Sequence, residues 1–282
     1  MRWSHYTAAC WSSAELPAQA IPILMYHHVA PAPGLVTMSP DVFREQIAAM
    51  TAAGWRSIGT SELESFHAGL PLPDRSFMIT FDDGYYDNFA YAHPVLAEFG
   101  QKAVLFLVTA WLGEGNVRMG GATPDHAECK RLIRAGQTDA AMLRWSEIEA
   151  MAVAGTFEFH SHTHTHTRWD RQIADPVARD AALGEDLALS REILRRRLGF
   201  DDRHLCWPQG YFDEAYQRVA RAAGFDFLYT TRRTLNCPAG PADSLGRLVA
   251  KEQAGGRTVR RLFIQSRPWL ARLYACLQGG KG

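Results

Sequence analysis

Two carboxylates stand side by side in Thr80-Phe-Asp82-Asp83-Gly84, where an apolar stretch from Phe77 to Phe81 runs out into a glycine. A buried strand with that ending places both acids at its carboxyl end, the catalytic face of barrel enzymes. The same Asp-Asp-Gly also suits a solvated turn. A second cluster, His160-Ser-His162-Thr-His164-Thr-His166, holds four of the eleven histidines within seven residues. If extended, it points all four imidazoles one way; in a helical turn His162 and His166, or His160 and His164, share a face. Either arrangement brings two neutral imidazoles to one cation. A catalytic zinc takes three nitrogen or oxygen ligands from the protein and keeps one position for water, and two histidines with one carboxylate meet that need. A histidine-rich surface tract that collects metals adventitiously is the competing reading. Two more polar clusters follow apolar runs: His27-His28 after Ile23 to Met25, and Trp207-Pro208-Gln209-Gly210 after His204 to Cys206. Four such clusters on one face of a barrel form the pattern of an active site.

The elements that must carry these clusters alternate between short apolar runs and amphipathic segments. Strands are predicted at 23–27, 55–58, 76–81, 103–108, 156–159, 204–207, 226–229 and 245–249. Helices are predicted from Ser39-Pro40 to Gly54, over 88–99 with an interruption at Pro94, and over 146–154, 176–198 and 213–223. This alternation predicts parallel βαβ units in an α/β fold. With no Gly-x-Gly-x-x-Gly or Walker-type loop after any strand, a closed or nearly closed (β/α)7–8 barrel is favoured over an open nucleotide-binding sheet. A Gly-rich stretch over 111–143 breaks the rhythm and reads as an inserted loop or lid. The expected organisation is an N-terminal extension over 1–20, a catalytic barrel over 21–254 and a basic tail over 255–282.

The 282 residues are 47% hydrophobic and 21% charged, with thirty Lys plus Arg against thirty Asp plus Glu. A neutral chain lacks the electrostatic footprint of a nucleic-acid binder. The five cysteines, Cys10, Cys129, Cys206, Cys237 and Cys276, contain no Cys-x-x-Cys pair and read as reduced thiols. No signal-like stretch and no run of 18 apolar residues is present, which points to the cytoplasm. The charge is unevenly spread: the tail carries Arg257, Arg260, Arg261, Arg267, Arg272 and Lys281 without any acid, so it is +6 against −6 for the rest. Trp269, Leu270, Leu273 and Leu277 form an apolar stripe after Pro268. Such a segment reads either as a peripheral helix on the inner face of an anionic membrane or as a terminal helix docked on the barrel. Composition sets no oligomeric state.

Thr80-Phe-Asp-Asp-Gly84, His162-x-x-x-His166 and Pro208-x-Gly210 resemble the first three motifs of the polysaccharide deacetylases of carbohydrate esterase family 4, which share the NodB homology domain. The resemblance runs from about 21 to 249. It implies a distorted (β/α) barrel that removes acetyl groups from N-acetylated sugars with a divalent metal, most simply Zn²⁺, with Co²⁺ and Ni²⁺ compatible with the same ligands. By position, Asp83, His162 and His166 would be ligands and Asp82 the base. Cys206 stands where the pattern has an arginine, Gln209 replaces an aromatic residue, and no histidine follows His204 to supply the usual late general acid. A permuted branch, including poly-N-acetylglucosamine deacetylases of biofilm systems, begins instead with a Tyr-His motif. Tyr26-His27 matches it, which assigns the acid to His27, and Arg247 is the candidate partner for Asp82 in place of the missing arginine.

On this reading an N-acetylated aminosugar of an envelope glycan, a lipid-linked saccharide or a lipopolysaccharide core is the substrate. The backbone of the Pro208–Gly210 turn, through Gln209, would support the oxyanion. Trp207, with Trp145 and Trp169, offers either a sugar-stacking platform or ordinary core. Asp170 is placed either to accept the second ring N–H of a ligand histidine or to sit in solvent. Asp125, His126 and Cys129 offer either a second site or part of a polar lid. The competing functions are a metal amidase of the same fold acting on a formamido sugar or a non-glycan amide, and an inactive homologue that still binds carbohydrate. A glycosidase pair is disfavoured, because adjacent strand-end carboxylates diverge rather than face each other across a bond.

Overall fold

The apolar runs become strands because they bury both faces, as parallel strands covered by helices must. The computed structural model of the protein describes residues 16–279. Its strands are β1 (Ile23–Tyr26), β2 (His28–Val29), β3 (Thr37–Met38), β4 (Arg56–Ser57), β5 (Ser76–Phe81), β6 (Ala103–Leu107), β7 (Phe157–Ser161), β8 (His204–Cys206), β9 (Phe227–Tyr229) and β10 (Leu248–Val249). They pair in the order β10-β1-β5-β6-β7-β8-β9, with β4 beside β5, and every ladder is parallel. β2 and β3 make a small separate ladder. A single parallel bridge from Tyr229 to Leu245, just ahead of β10, brings the two ends of the sheet together. The result is the expected distorted (β/α) barrel, with seven strands around its path.

The helices are α1 (Pro40–Ala52), α2 (Thr60–His67), α3 (His93–Glu98), α4 (His126–Arg134), α5 (Trp145–Val153), α6 (Trp169–Gln172), α7 (Pro176–Leu198), α8 (Glu214–Ala222), α9 (Gly255–Gln265) and α10 (Pro268–Gly279). Proline opens α1 and α7 as predicted, and α7 stops at Gly199 with φ 80°. The helix predicted over 88–99 is instead a wide π-turn, Asn88–Ala92, followed by α3. Pro94 has no N–H for the ladder, so the helix restarts around it. α2, α4, α6 and α9 are absent from the sequence reading: α2, α4 and α6 are short and polar, and α9 opens on two glycines and carries three arginines. The inserted loop is correspondingly not a polar lid. Within it, Cys129 and Leu132 of α4 pack with Tyr85, Ala141 and Met142 in a core of their own.

The tail also divides differently from the expectation. α9 lies along α1 so closely that a Cβ on Gly255 would fall 2.6 Å from Ala49 Cβ, and Leu262 is fully buried. At the other end, Ala18 N–H donates to Leu72 O, so the barrel takes in the last residues of the predicted N-terminal extension. Cys10, Lys281 and the Leu277 side chain lie outside what is described; Cys129, Cys206, Cys237 and Cys276 are free thiols. Among the described residues no helix is long and apolar enough to cross a membrane.

One buried carboxylate locks β7 to β8. Asp202 accepts from His160 Nδ1 at 2.7 Å, from Ser161 N–H at 2.8 Å and from His204 N–H at 2.9 Å. Burial disfavours a charged His160, but Asp202 outweighs that and raises its pKa. Removing the acid leaves two N–H groups and an imidazole unpaired inside the barrel, at a cost of about 3 kcal/mol. Urea unfolding of Asp202→Ala should show that loss; a change under about 1 kcal/mol would mean the pair does not hold the strands.

Candidate active site

Because all the barrel strands are parallel, the residues just past their carboxyl ends meet at one mouth. His27 follows β1, Asp82 and Asp83 follow β5, His162 follows β7, and Pro208–Gly210 follows β8. Arg247 enters from just ahead of β10. The local backbone is strained here: Asp83, Thr163, His166 and Gln209 have φ of 78°, 67°, 60° and 56°, four of the seven left-handed non-glycine residues described. Each such residue costs on the order of 1 kcal/mol, and such outliers persist where surrounding structure imposes them. Gly84 continues the turn at φ 93°, and a Cβ there would press to 2.9 Å of Leu107.

Asp82 is held as a charged carboxylate. Arg247 donates from Nη1 to Oδ1 at 2.6 Å and from Nη2 to Oδ2 at 2.8 Å. Arg247 is itself fixed by Thr230 O, which accepts from Nε at 3.0 Å, and by Thr80 Oγ1 at 3.2 Å from Nη1. Burial alone would raise the Asp82 pKa, but Arg247, with help from His162, holds it below the usual carboxylate value. Burial also pushes the Cys206 thiol up, so it is a neutral neighbour, 3.6 Å from Asp82 Oδ1. His27 Nε2 stands 3.8 Å from Asp82 Oδ2, and burial lowers its pKa against the pull of the two aspartates.

Asp83, His162 and His166 form a second unit. Their Nε2 atoms lie 3.4 Å and 3.5 Å from Asp83 Oδ1, a buried oxygen with no hydrogen-bond partner among the described residues. His162 Nδ1–H donates to Cys206 O at 2.8 Å, which turns the Nε2 lone pair inward. Burial holds the His166 pKa down to about 4, so this imidazole is neutral and free to ligate. An orphaned carboxylate oxygen faced by two imidazole Nε2 atoms is the donor set of a divalent cation, which would displace the proton that the neighbouring Asp83 favours on His162. Zinc bonds of about 2.1 Å at tetrahedral angles set neighbouring donors about 3.4 Å apart, the spacing seen here. The residues therefore fit a metal.

The histidine tract is neither wholly extended nor helical, so its members part company. His160 turns to Asp202 and His164 Nδ1 bonds Thr109 Oγ1 at 2.9 Å. Asp170 is paired with Arg168 at 2.7 Å and accepts from Tyr216 Oη, so it does not steady a ligand histidine. Trp207 and Trp145 are buried in the core, which removes them as a stacking platform, while Trp169 is half-buried and donates to Asp186. Asp125 caps α4 and Cys129 donates to Pro124 O, so they build no second site. Gln209 stands exposed on its left-handed turn at the mouth.

Trp111, Tyr85 and Asp87, also at the mouth, escaped the sequence reading. Trp111 packs its half-buried ring 5.1 Å from His166. Tyr85 stacks on His28 at 3.7 Å, and His28 links Asp87 (2.6 Å) to His126 (3.1 Å). Tyr85 follows directly on the Asp-Asp-Gly turn and is the one whose position offered a signal.

The model of the polysaccharide deacetylase family matches residues 69–228, more than half of the chain. The chain belongs to the polysaccharide deacetylase family. The matched span contains Asp82, Asp83, His162, His166 and the Pro208–Gly210 turn, while His27 and Arg247 lie on either side of it. Bacillus subtilis YxkH is 31% identical over 106 residues, 37% of each chain. The Escherichia coli K12 protein named poly-β-1,6-N-acetyl-D-glucosamine N-deacetylase is 22% identical over 227 residues, 76% of this chain and 34% of that one. The chain thus spans about a third of the length of these curated relatives. Among solved structures, IcaB from Ammonifex degensii superposes with a TM-score of 0.71 at 23% identity, over 88% of this chain and 99% of that one, and so shares the deacetylase fold.

The two units make separable predictions. Purified protein should carry one divalent ion per chain by elemental mass spectrometry; His166→Ala should lose it and Asp82→Asn should keep it. Equal metal in the wild type and His166→Ala would refute the ligand set.

Proposed function

We propose that this family member is a metal-dependent N-deacetylase of an N-acetylated aminosugar in an envelope or exopolysaccharide-type glycan. The observation that carries the reading is the pairing of a salt-bridged base, Asp82, and an imidazole 3.8 Å from it with the three-residue donor set around Asp83 Oδ1. The name of the E. coli relative supports the substrate class. Amide hydrolysis needs an activated water, a place for the oxyanion and a proton for the leaving amine, and a divalent ion on Asp83, His162 and His166 supplies acidity to the water and polarisation to the carbonyl. Zn²⁺ suits this set best, with Co²⁺ and Ni²⁺ as alternatives.

The chain's own residues carry the proton chemistry. Asp82 Oδ2 accepts only from Arg247 Nη2 and keeps a lone pair, so the carboxylate accepts the water proton there without leaving its clamp. Arg247 keeps that carboxylate ionised and fixed in orientation. The Gln209 backbone N–H, on its left-handed turn at the mouth, offers a hydrogen bond to the oxyanion. As the C–N bond breaks, His27, neutral at rest because burial lowers its pKa, is charged by the proton that Asp82, 3.8 Å away, took from the water and gives a proton to the nitrogen, and acetate and a free amine leave. Trp111, half-buried beside His166, is the aromatic surface available to a sugar ring.

Acetate release from N-acetylglucosamine oligomers tests this directly. Asp82→Asn and His27→Ala should each lower kcat by roughly 10²–10⁴-fold with metal retained. Undiminished turnover in Asp82→Asn, or release of formate from N-formyl sugars with no acetate from N-acetyl sugars, would overturn the reading.

A further inference from the structure

α9 and α10 fold over the outer wall of the barrel beside β10, and between them and the wall lies a cavity of about 590 Å³. Six cations line it, Arg233, Lys251, Arg257, Arg260, Arg261 and Arg272, with no Asp or Glu in its lining. Many arginines elsewhere on the surface meet acids: Arg203 meets Asp226 and Arg267 meets Asp74, for example. None of these six has a carboxylate partner among the described residues. Arg261 reaches only a backbone oxygen, that of Val249, and burial together with nearby Arg233 pulls its pKa down. Like charges converging on a concave site repel one another until an anion fills it.

The same hairpin leaves large apolar side chains in solvent. Trp269 and Leu273, one helical turn apart, are 62% and 52% exposed, and Tyr274 beside Arg272 is 42% exposed. A free soluble anion would account for the cations alone. An anionic bilayer accounts for both features, since phosphates meet the arginines while aromatic and leucine side chains enter the interface.

We propose that the cavity receives phosphate headgroups of an anionic lipid membrane, with Trp269 and Leu273 inserted beside it. The inference rests on the outer wall and does not depend on the catalytic reading. It is tested by co-sedimentation of the full chain with phosphatidylcholine vesicles with and without phosphatidylglycerol. Binding should require phosphatidylglycerol, weaken with added salt, and fall roughly a hundredfold when Arg257, Arg260 and Arg272 are all changed to Gln, at about fivefold per cation. Trp269→Ala with Leu273→Ala should weaken it while leaving the arginines in place, and circular dichroism of both variants should match the wild type. The proposal fails if the wild type ignores the anionic vesicles, binds both kinds equally, or loses nothing in the triple variant. It also fails if calorimetry shows inorganic pyrophosphate bound to a chain that does not bind vesicles.

Discussion

The buried ion pair between Asp82 and Arg247 is the constraint on which the rest of the site depends. Neither partner has water to solvate it, with Arg247 only 1% exposed, so each charge is tolerable only because the other is there. The pair also ties the barrel across its mouth. Arg247 enters from ahead of β10, holds Asp82 at the end of β5, donates to Thr230 beyond β9, and touches Thr80, whose hydroxyl is bonded to Leu24 of β1. The nearly open side of the sheet, where the Tyr229–Leu245 bridge joins β9 to the segment ahead of β10, is therefore drawn together by the same side chain that fixes Asp82.

Cys206 makes room for this arrangement. The motif that this chain resembles has an arginine at that position, on the strand next to the histidines. Here a small buried thiol occupies it, and Arg247 Nη2 comes to 3.0 Å from the sulfur. The positive charge reaches Asp82 from the segment ahead of β10 instead of from β8, and the carbonyl of the same Cys206 accepts from His162 Nδ1. One residue thus joins the clamp on Asp82 to the orientation of His162.

Much of this was legible in the residues themselves. Continuous apolar runs such as Ser76–Phe81 admit little besides a buried parallel strand, and the polar clusters that follow them can only gather at its carboxyl end. The parallel register then brings together Asp82, Asp83, His27 and the two histidines. Less legible were features set by side-chain competition. Four alternating histidines look equivalent along the chain, yet Asp202 and Thr109 draw His160 and His164 away. Asp170 looks poised beside a ligand but finds Arg168 closer, and Trp207 looks like a platform but completes the core around Tyr216. α4 was hidden because nine residues with five charged or histidine side chains carry little apolar signal until they pack on Tyr85.

The central claim is that Arg247 supplies, from a different strand, the charge that keeps Asp82 working as a base. The most direct measurement is kcat for acetate release together with bound metal in Arg247→Ala and in the double variant Arg247→Ala with Cys206→Arg. The account predicts a loss of roughly a hundredfold or more in the single variant with the metal still bound, and partial recovery when an arginine stands at 206. Full activity in Arg247→Ala would contradict it, because the base would then need no clamp.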